Sequence, residues 1–221
     1  MNIIVTCGPS YEPIDQVRRI TNFSTGRLGI TIANALTDCG HRVFCLKGEQ
    51  ATDPTPSRAF KTILFSTNDD LASKIREVRT ESIGAIFHAA ALCDFKVASV
   101  EEASGKTIHS AKIPTRGHDP LHLTLAPTTK VLPQLRDWFA AAKIIGWKYE
   151  LVGSREEAIA KGFQQIKDCR TDGCVVNGAA YGAGCGVCRG KSVVHAEGIP
   201  DLIEQLKNFT GIPPDIKKRL A

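Results

Sequence analysis

Residues 2–36 read NIIVTCGPSYEPIDQVRRITNFSTGRLGITIANAL: an apolar run of strand length, a long turn-rich connection and a helix-period stripe in direct succession. Ile3, Ile4 and Val5 form the heart of the strand. Leu28, Ile32 and Leu36 recur every four residues, which places them on one face of a helix. Strand, connection and helix in that order open a sheet of parallel strands covered by helices. In such sheets ligands bind beyond the carboxyl ends of the strands, and the first strand-to-helix connection is the usual phosphate site. Here that connection spans 8–24. It is longer than a dinucleotide-binding turn and lacks G-x-G-x-x-G, so the nicotinamide fingerprint is absent. Gly8, Ser10, Ser24, Thr25 and Gly26 are the candidate phosphate ligands, because free N–H groups, hydroxyls and the positive end of a helix dipole converge there. Plain capping by Ser24, with Gly26 a packing residue, is the competing reading of the same residues.

Outward from this unit the alternation continues. Strand-length apolar runs fall at 42–46, 61–65, 84–88, 121–125, 143–147, 173–176 and 192–195. Between them, Leu71, Ile75 and Val78, and then Ile159, Phe163 and Ile166, repeat with helical period. Ser154 followed by Glu157 predicts a capping box; Asn68, and Thr128 or Thr129, mark two further helix starts. The expectation is a single α/β domain over 1–221, a doubly wound, Rossmann-like, mostly parallel sheet with helices on both faces. Residues 51–58 and 97–120 are the long irregular stretches, and the second is expected to be an active-site loop.

Composition narrows the function. At 221 residues and 43% hydrophobic content the chain can bury a substantial core. No apolar run approaches the length needed to span a bilayer, and the start lacks a leader pattern, so a cytoplasmic protein without membrane contact is expected. A net charge of +5, with 28 basic and 23 acidic residues spread along the chain, suits small anionic substrates. Aromatic content of 6% without basic interleaving argues against nucleic acid. Of the eight cysteines, Cys7, Cys45 and Cys174 lie in apolar runs and read as reduced thiols. Cys185-Gly-Val-Cys188, with Cys169 and Cys174, could also be drawn as a zinc site, although Cys174 leads into Val175-Val176 rather than a turn.

Thr6-Cys7-Gly8-Pro9-Ser10-Tyr11-Glu12-Pro13-Ile14-Asp15, then Val17-Arg18-Arg19-Ile20-Thr21-Asn22-Phe23-Ser24-Thr25-Gly26-Arg27-Leu28-Gly29, resembles the signature T-x-G-P-T-x-E-P-I-D, V-R-x-I-x-N-x-S-S-G-x-x-G of phosphopantothenoylcysteine synthetases. The resemblance continues in His88-Ala89-Ala90-Ala91-Leu92-Cys93-Asp94-Phe95 (A-A-V-A-D-[FY]), Lys112-Ile113 (K-I-K-K), Ile145-Gly146-Trp147-Lys148-Tyr149-Glu150 (V-G-F-x-x-E) and Asp172 to Asn177 (D-x-I-V-A-N). It implies a ligase of coenzyme A biosynthesis that joins 4'-phosphopantothenate to cysteine through an acyl nucleotidylate, with Mg²⁺ and CTP or ATP. It further implies a homodimer and, in the absence of a fused flavoprotein half, a separate decarboxylase.

By the same resemblance, Lys112 stabilises the charge of activation and Asn22 holds the acyl nucleotidylate, while Ala90, Asp94, Gly146, Trp147, Lys148 and Asn177 surround the nucleotide. No protein side chain is assigned to a metal, and His88 is expected to be packed rather than catalytic. The chain departs from the pattern in three places: Lys-Ile-Pro-Thr stands for K-I-K-K, Gln165 and Cys169 replace lysines usual before D-x-I-V-A-N, and Trp147 replaces Phe. Lys148 or Lys161 would then have to supply the missing triphosphate contacts. A diverged, non-catalytic nucleotide-binding paralogue, and a nicotinamide-dependent reductase using Glu49 for its ribose, are the alternatives.

Overall fold

A computed structural model describes residues 1–114 and 120–211. Its strands are β1 (Asn2–Cys7), β2 (Tyr11–Pro13), β3 (Arg19–Thr21), β4 (Arg42–Gly48), β5 (Lys61–Phe65), β6 (Ile83–His88), β7 (Phe95–Glu102), β8 (Leu121–Pro127), β9 (Lys143–Tyr149), β10 (Gly173–Asn177), β11 (Cys185–Arg189) and β12 (Ser192–Ala196). The helices are α1 (Arg27–Asp38), α2 (Asn68–Val78), α3 (Leu132–Trp138), α4 (Arg155–Cys169) and α5 (Ile199–Lys207).

Eight strands form one sheet in the order β12-β11-β10-β9-β6-β1-β4-β5. The pairs from β5 across to β10 are parallel, whereas β11 and β12 are added antiparallel at one edge. Counted in chain order, the parallel strands run 3-2-1-4-5-6, the doubly wound arrangement whose order reverses between its first and fourth strands, here β1 and β6.

Side-chain alternation explains both faces. Ile3, Val5 and Cys7 join Val43, Cys45, Ala85 and Phe87 against α1 and α5. Ile4, Phe44, Leu46 and Ile86 point the other way against α2 and α3, and Cys174, Val176 and Cys188 meet α4. Burial on both faces is why these strands read as continuous apolar runs.

Four expectations need correction. The 121–125 run is a strand, but it lies outside the central sheet: β8 pairs antiparallel with β7 in a separate two-stranded arm. Consequently 97–120 is not uniformly irregular, since β7 runs to Glu102; Lys96, Ser99, Glu101 and Glu102 hide its strand character from composition. Residues 115–119 of that stretch lie outside the described residues. α2 is capped by Thr67, whose hydroxyl accepts from the Asp70 N–H, with Asn68 already in the first turn. Finally, α3 starts after Val131 without a side-chain cap, and Thr129 instead donates to Asp69. The Ser154–Glu157 capping box is present as expected, its two bonds at 3.2 and 2.8 Å.

Candidate active site

At the switch point the connections leaving β1 and β6 are zipped together. The Ala89 and Ala91 N–H groups donate to Thr6 and Gly8 carbonyls at 3.2 and 2.9 Å, and the Ser10 N–H returns to the Ala91 carbonyl at 3.2 Å. Ser10 is fully buried, and its hydroxyl accepts from the Cys93 N–H at 2.8 Å. It is therefore a strut between the two connections and not a surface phosphate ligand. Beneath it, Thr6 Oγ1 accepts from the Ala90 N–H at 3.2 Å and lies in hydrogen-bond contact with His88 Nδ1 at 2.9 Å. Burial pushes the His88 pKa down to about 4, so its imidazole is neutral at ordinary pH. It is packed, as expected.

The phosphate-loop candidates divide. α1 begins at Gly26, in the left-handed region at φ 81°, with no side-chain cap. Ser24 is therefore not its cap, and Thr25 Oγ1 receives only the Arg27 N–H, at 3.3 Å. Among the described residues the Leu28 and Gly29 N–H groups have no protein acceptor, which leaves the positive end of α1 open to an anion. Gly8 and Gly26 have a different task. A Cβ on either would stand 2.7 or 2.9 Å from the Ala51 Cβ, so both are bare in order to admit the turn that follows β4. That turn is pinned by Ala51 N–H to the Gly48 carbonyl and by Asp53 N–H to the Thr25 carbonyl, both at 2.9 Å. It packs closely over Gly8 and Gly26. The same glycine spacing survives in split form: Gly8, an inserted hairpin of β2 and β3, then Gly26-Arg-Leu-Gly29, where a Cβ on Gly29 would lie 2.2 Å from that of Cys7.

Asn22 leaves the base of the inserted hairpin, exposed, and its Nδ2 donates to the Leu92 carbonyl at 2.8 Å. Lys112 is tied to the other end. Asp15 Oδ2 accepts the Ile113 N–H at 3.1 Å, Arg18 Nη2 donates to the Ile113 carbonyl at 3.1 Å, and the Gln16 N–H reaches the Ala111 carbonyl at 2.9 Å. Burial opposes the Asp15 charge, but N–H donors from Val17, Ile113 and Arg18 outweigh it and hold the carboxyl below its usual range. A three-residue strand of about 10 Å separates this anchorage from Asn22.

Asp94, exposed after β6, forms an ion pair with Lys130, a residue to which the sequence drew no attention. Trp147 and Asn177 come together with Leu28, Val175, Cys185 and Ile199 around a cavity of about 250 Å³. The Trp147 carbonyl accepts from Gln165 Nε2 at 3.3 Å, and the same nitrogen would lie 2.6 Å from a Cβ on Gly146. Lys148 and Lys161 both bind Glu150, at 3.3 and 2.5 Å, and the Lys161 bond in particular keeps the Glu150 carboxyl ionised to lower pH than usual. Lys148 alternates with Trp147 along β9, so it serves the face opposite the cavity.

The zinc alternative fails on geometry. Cys185 and Cys188 are three apart on a strand and belong to opposite faces of the sheet, Cys188 opposite Cys174 and Cys185 against α5. Burial pushes the Cys188 thiol up to about 11 and that of Cys174 higher still, against the thiolate a metal needs. No cluster of three metal-ligating side chains occurs among the described residues.

An α/β domain of doubly wound, Rossmann-like type, with a cavity beyond the strand ends on the β6–β9 side of the switch point, is the class that this fold and site define. Residues 1–201 match the DNA/pantothenate metabolism flavoprotein C-terminal domain, and the chain belongs to that family. It is 28% identical over 176 residues to the coenzyme A biosynthesis bifunctional protein CoaBC of Thermococcus kodakarensis, covering 79% of this chain and 40% of that protein. The chain thus spans less than half the length of this relative. In structure it is similar to the DNA/pantothenate metabolism flavoprotein of Streptococcus pneumoniae, with TM-score 0.85, 22% identity, and 96% and 98% of the two chains covered. It is also similar to a Cab2 mutant in complex with phosphopantothenate-cysteine, with TM-score 0.69, 17% identity, and 95% and 87% covered. No helix among the described residues is long and apolar enough to cross a membrane.

Proposed function

We propose that the chain is a phosphopantothenate–cysteine ligase that uses CTP or ATP with Mg²⁺. The observation that carries this reading is that the first turn of α1, through Leu28, borders the Trp147–Asn177 cavity, while Asn22 is fixed to the Leu92 carbonyl of the neighbouring connection. Family membership and the CoaBC relative support the same substrates.

A carboxylate is inert to amines, so the phosphopantothenate carboxylate first attacks the α-phosphorus and expels pyrophosphate. The cysteine amine then attacks the acyl carbon, expels the nucleoside monophosphate and loses a proton. The leading demand is to bring two anions together, and fixed cations and N–H donors meet it. The free N–H groups at the start of α1 face the phosphates, the nucleobase sits in the Trp147–Asn177 cavity, and Asn22 offers an uncharged amide to the nucleotidylate. Mg²⁺ is commonly bound through substrate phosphates and one or two carboxylates, and the exposed Asp94 fits that demand; the ion would neutralise triphosphate charge. Phe95, Leu123 and Leu125 are exposed on the β7–β8 arm and suit pairing with a second copy. A decarboxylase would consume the product.

Rapid-quench analysis with labelled triphosphate tests the reading. Wild type should release pyrophosphate with phosphopantothenate alone and transfer the acyl group once cysteine is added. Lys112→Gln should suppress the first step, and Asn22→Asp the second. Nucleotide binding without pyrophosphate release would identify a non-catalytic paralogue instead.

A further inference from the structure

We infer that Lys130 is the triphosphate-binding cation of this chain, held on Asp94 until the nucleotide arrives. The inference rests on the ligase reading above and adds a residue to that site.

Its position carries the argument. The Asn22 amide is fixed to the carbonyl of Leu92, and Asp94, two residues further along the same connection, holds the Lys130 ammonium. The Thr128 N–H donates to the Asp94 carbonyl at 3.0 Å, and the fully buried Asn68 donates to the Thr129 carbonyl at 2.9 Å. The backbone leading to Lys130 is therefore anchored to the Asn22 connection, while its side chain stays 56% exposed and able to swing.

The other lysines are placed less well. Lys148 and Lys161 are bound to Glu150, and Lys112 is carried at the far end of the inserted hairpin. Gln165 holds the Trp147 carbonyl and brings no charge. Lys130 is thus tied, through Asp94, to the connection that fixes Asn22. An exposed lysine–carboxylate pair is weak, so exchanging one carboxylate for a triphosphate is favourable. The exchange also releases Asp94 for the ribose or Mg²⁺.

Pyrophosphate release by the full chain, measured against CTP and ATP at several KCl concentrations, tests this with Lys130→Met and Lys130→Arg. Lys130→Met should raise the triphosphate KM by roughly 10- to 100-fold, as for loss of a charge-assisted hydrogen bond, and flatten the salt dependence. The KM for cysteine should not move, and Lys130→Arg should recover most of the loss. Triphosphate KM and salt dependence equal to wild type in Lys130→Met would overturn the inference while leaving the ligase reading intact. A wild-type chain that neither binds triphosphate nor releases pyrophosphate overturns both.

Discussion

Protonation of His88 should weaken the fold on the acid side, at a pH above that at which the depressed carboxylates titrate. His88 is buried, and its pKa falls from 6.5 to about 4 because burial disfavours the imidazolium. A histidine with a depressed folded pKa favours the neutral form in the native state. Below pH 6.5 the unfolded chain takes up a proton that the folded chain refuses. The stability tied to neutral His88 is therefore complete above about pH 6.5 and lost as pH falls towards 4. A shift of about 2.5 units corresponds to about 3 kcal/mol, a large share of the 5–15 kcal/mol typical of a domain. The structure supplies the cause: His88 is buried beneath the strand ends, against the Thr6 hydroxyl that also holds the Ala90 N–H, where an imidazolium would be stripped of water. Urea denaturation between pH 7.5 and 4.5 should show wild type losing about 2–3 kcal/mol more than His88→Gln, which cannot titrate. Carboxylates held low, such as Asp15 and Asp172, act below this window, and other groups cancel in the comparison. Parallel stability curves for the two proteins, or an NMR titration placing His88 near 6.5, would refute the reasoning.

Gly29→Ala, ordinarily stabilising within a helix, should here cost about 3 kcal/mol or more in thermal denaturation, since its Cβ would lie 2.2 Å from that of Cys7 and neither can swing away. Cys188→Ala should leave turnover intact and metal content at zero by elemental analysis; loss of both activity and stoichiometric zinc would restore the metal site. Leu123→Asp with Leu125→Asp should convert a dimer to monomer in sedimentation without changing the far-ultraviolet spectrum, and a wild type that sediments as a monomer removes the proposed pairing surface.

The sequence disclosed the parallel core because buried strands such as Ile3-Ile4-Val5 and Ile144-Ile145 carry apolar residues on both faces. The α4 start was equally legible, since a capping box is written within four residues. The β7–β8 arm was half hidden. β8 announces itself by its leucines, but its partner is a polar strand, and period alone never names a partner. At the site, the Asn22 loop was visible from its motif, whereas the reason for Gly8 and Gly26 was not. It lies in Ala51, 25 residues beyond Gly26 and brought back by the β4 turn. Lys130 likewise had no local signal, because a lone lysine after a strand reads as solvated surface. Cys185 and Cys188 misled in the opposite direction, their spacing being an accident of alternation along β11.

The order of strands also sets a timetable for synthesis. β5, β4, β1 and β6 are neighbours in the sheet and all emerge within the first 88 residues, so half the sheet can assemble while the chain is still being made. The outer edge of β6, Ala85 to His88, must then wait for β9, which ends at Tyr149. At ~5–20 residues per second a gap of about 60 residues lasts roughly 3–12 s. Throughout that interval an apolar strand shows its unpaired backbone to other nascent chains. Ribosome-stalled chains ending near residue 131 should accordingly aggregate or bind chaperones, and chains long enough to expose Tyr149 outside the ribosome should release them.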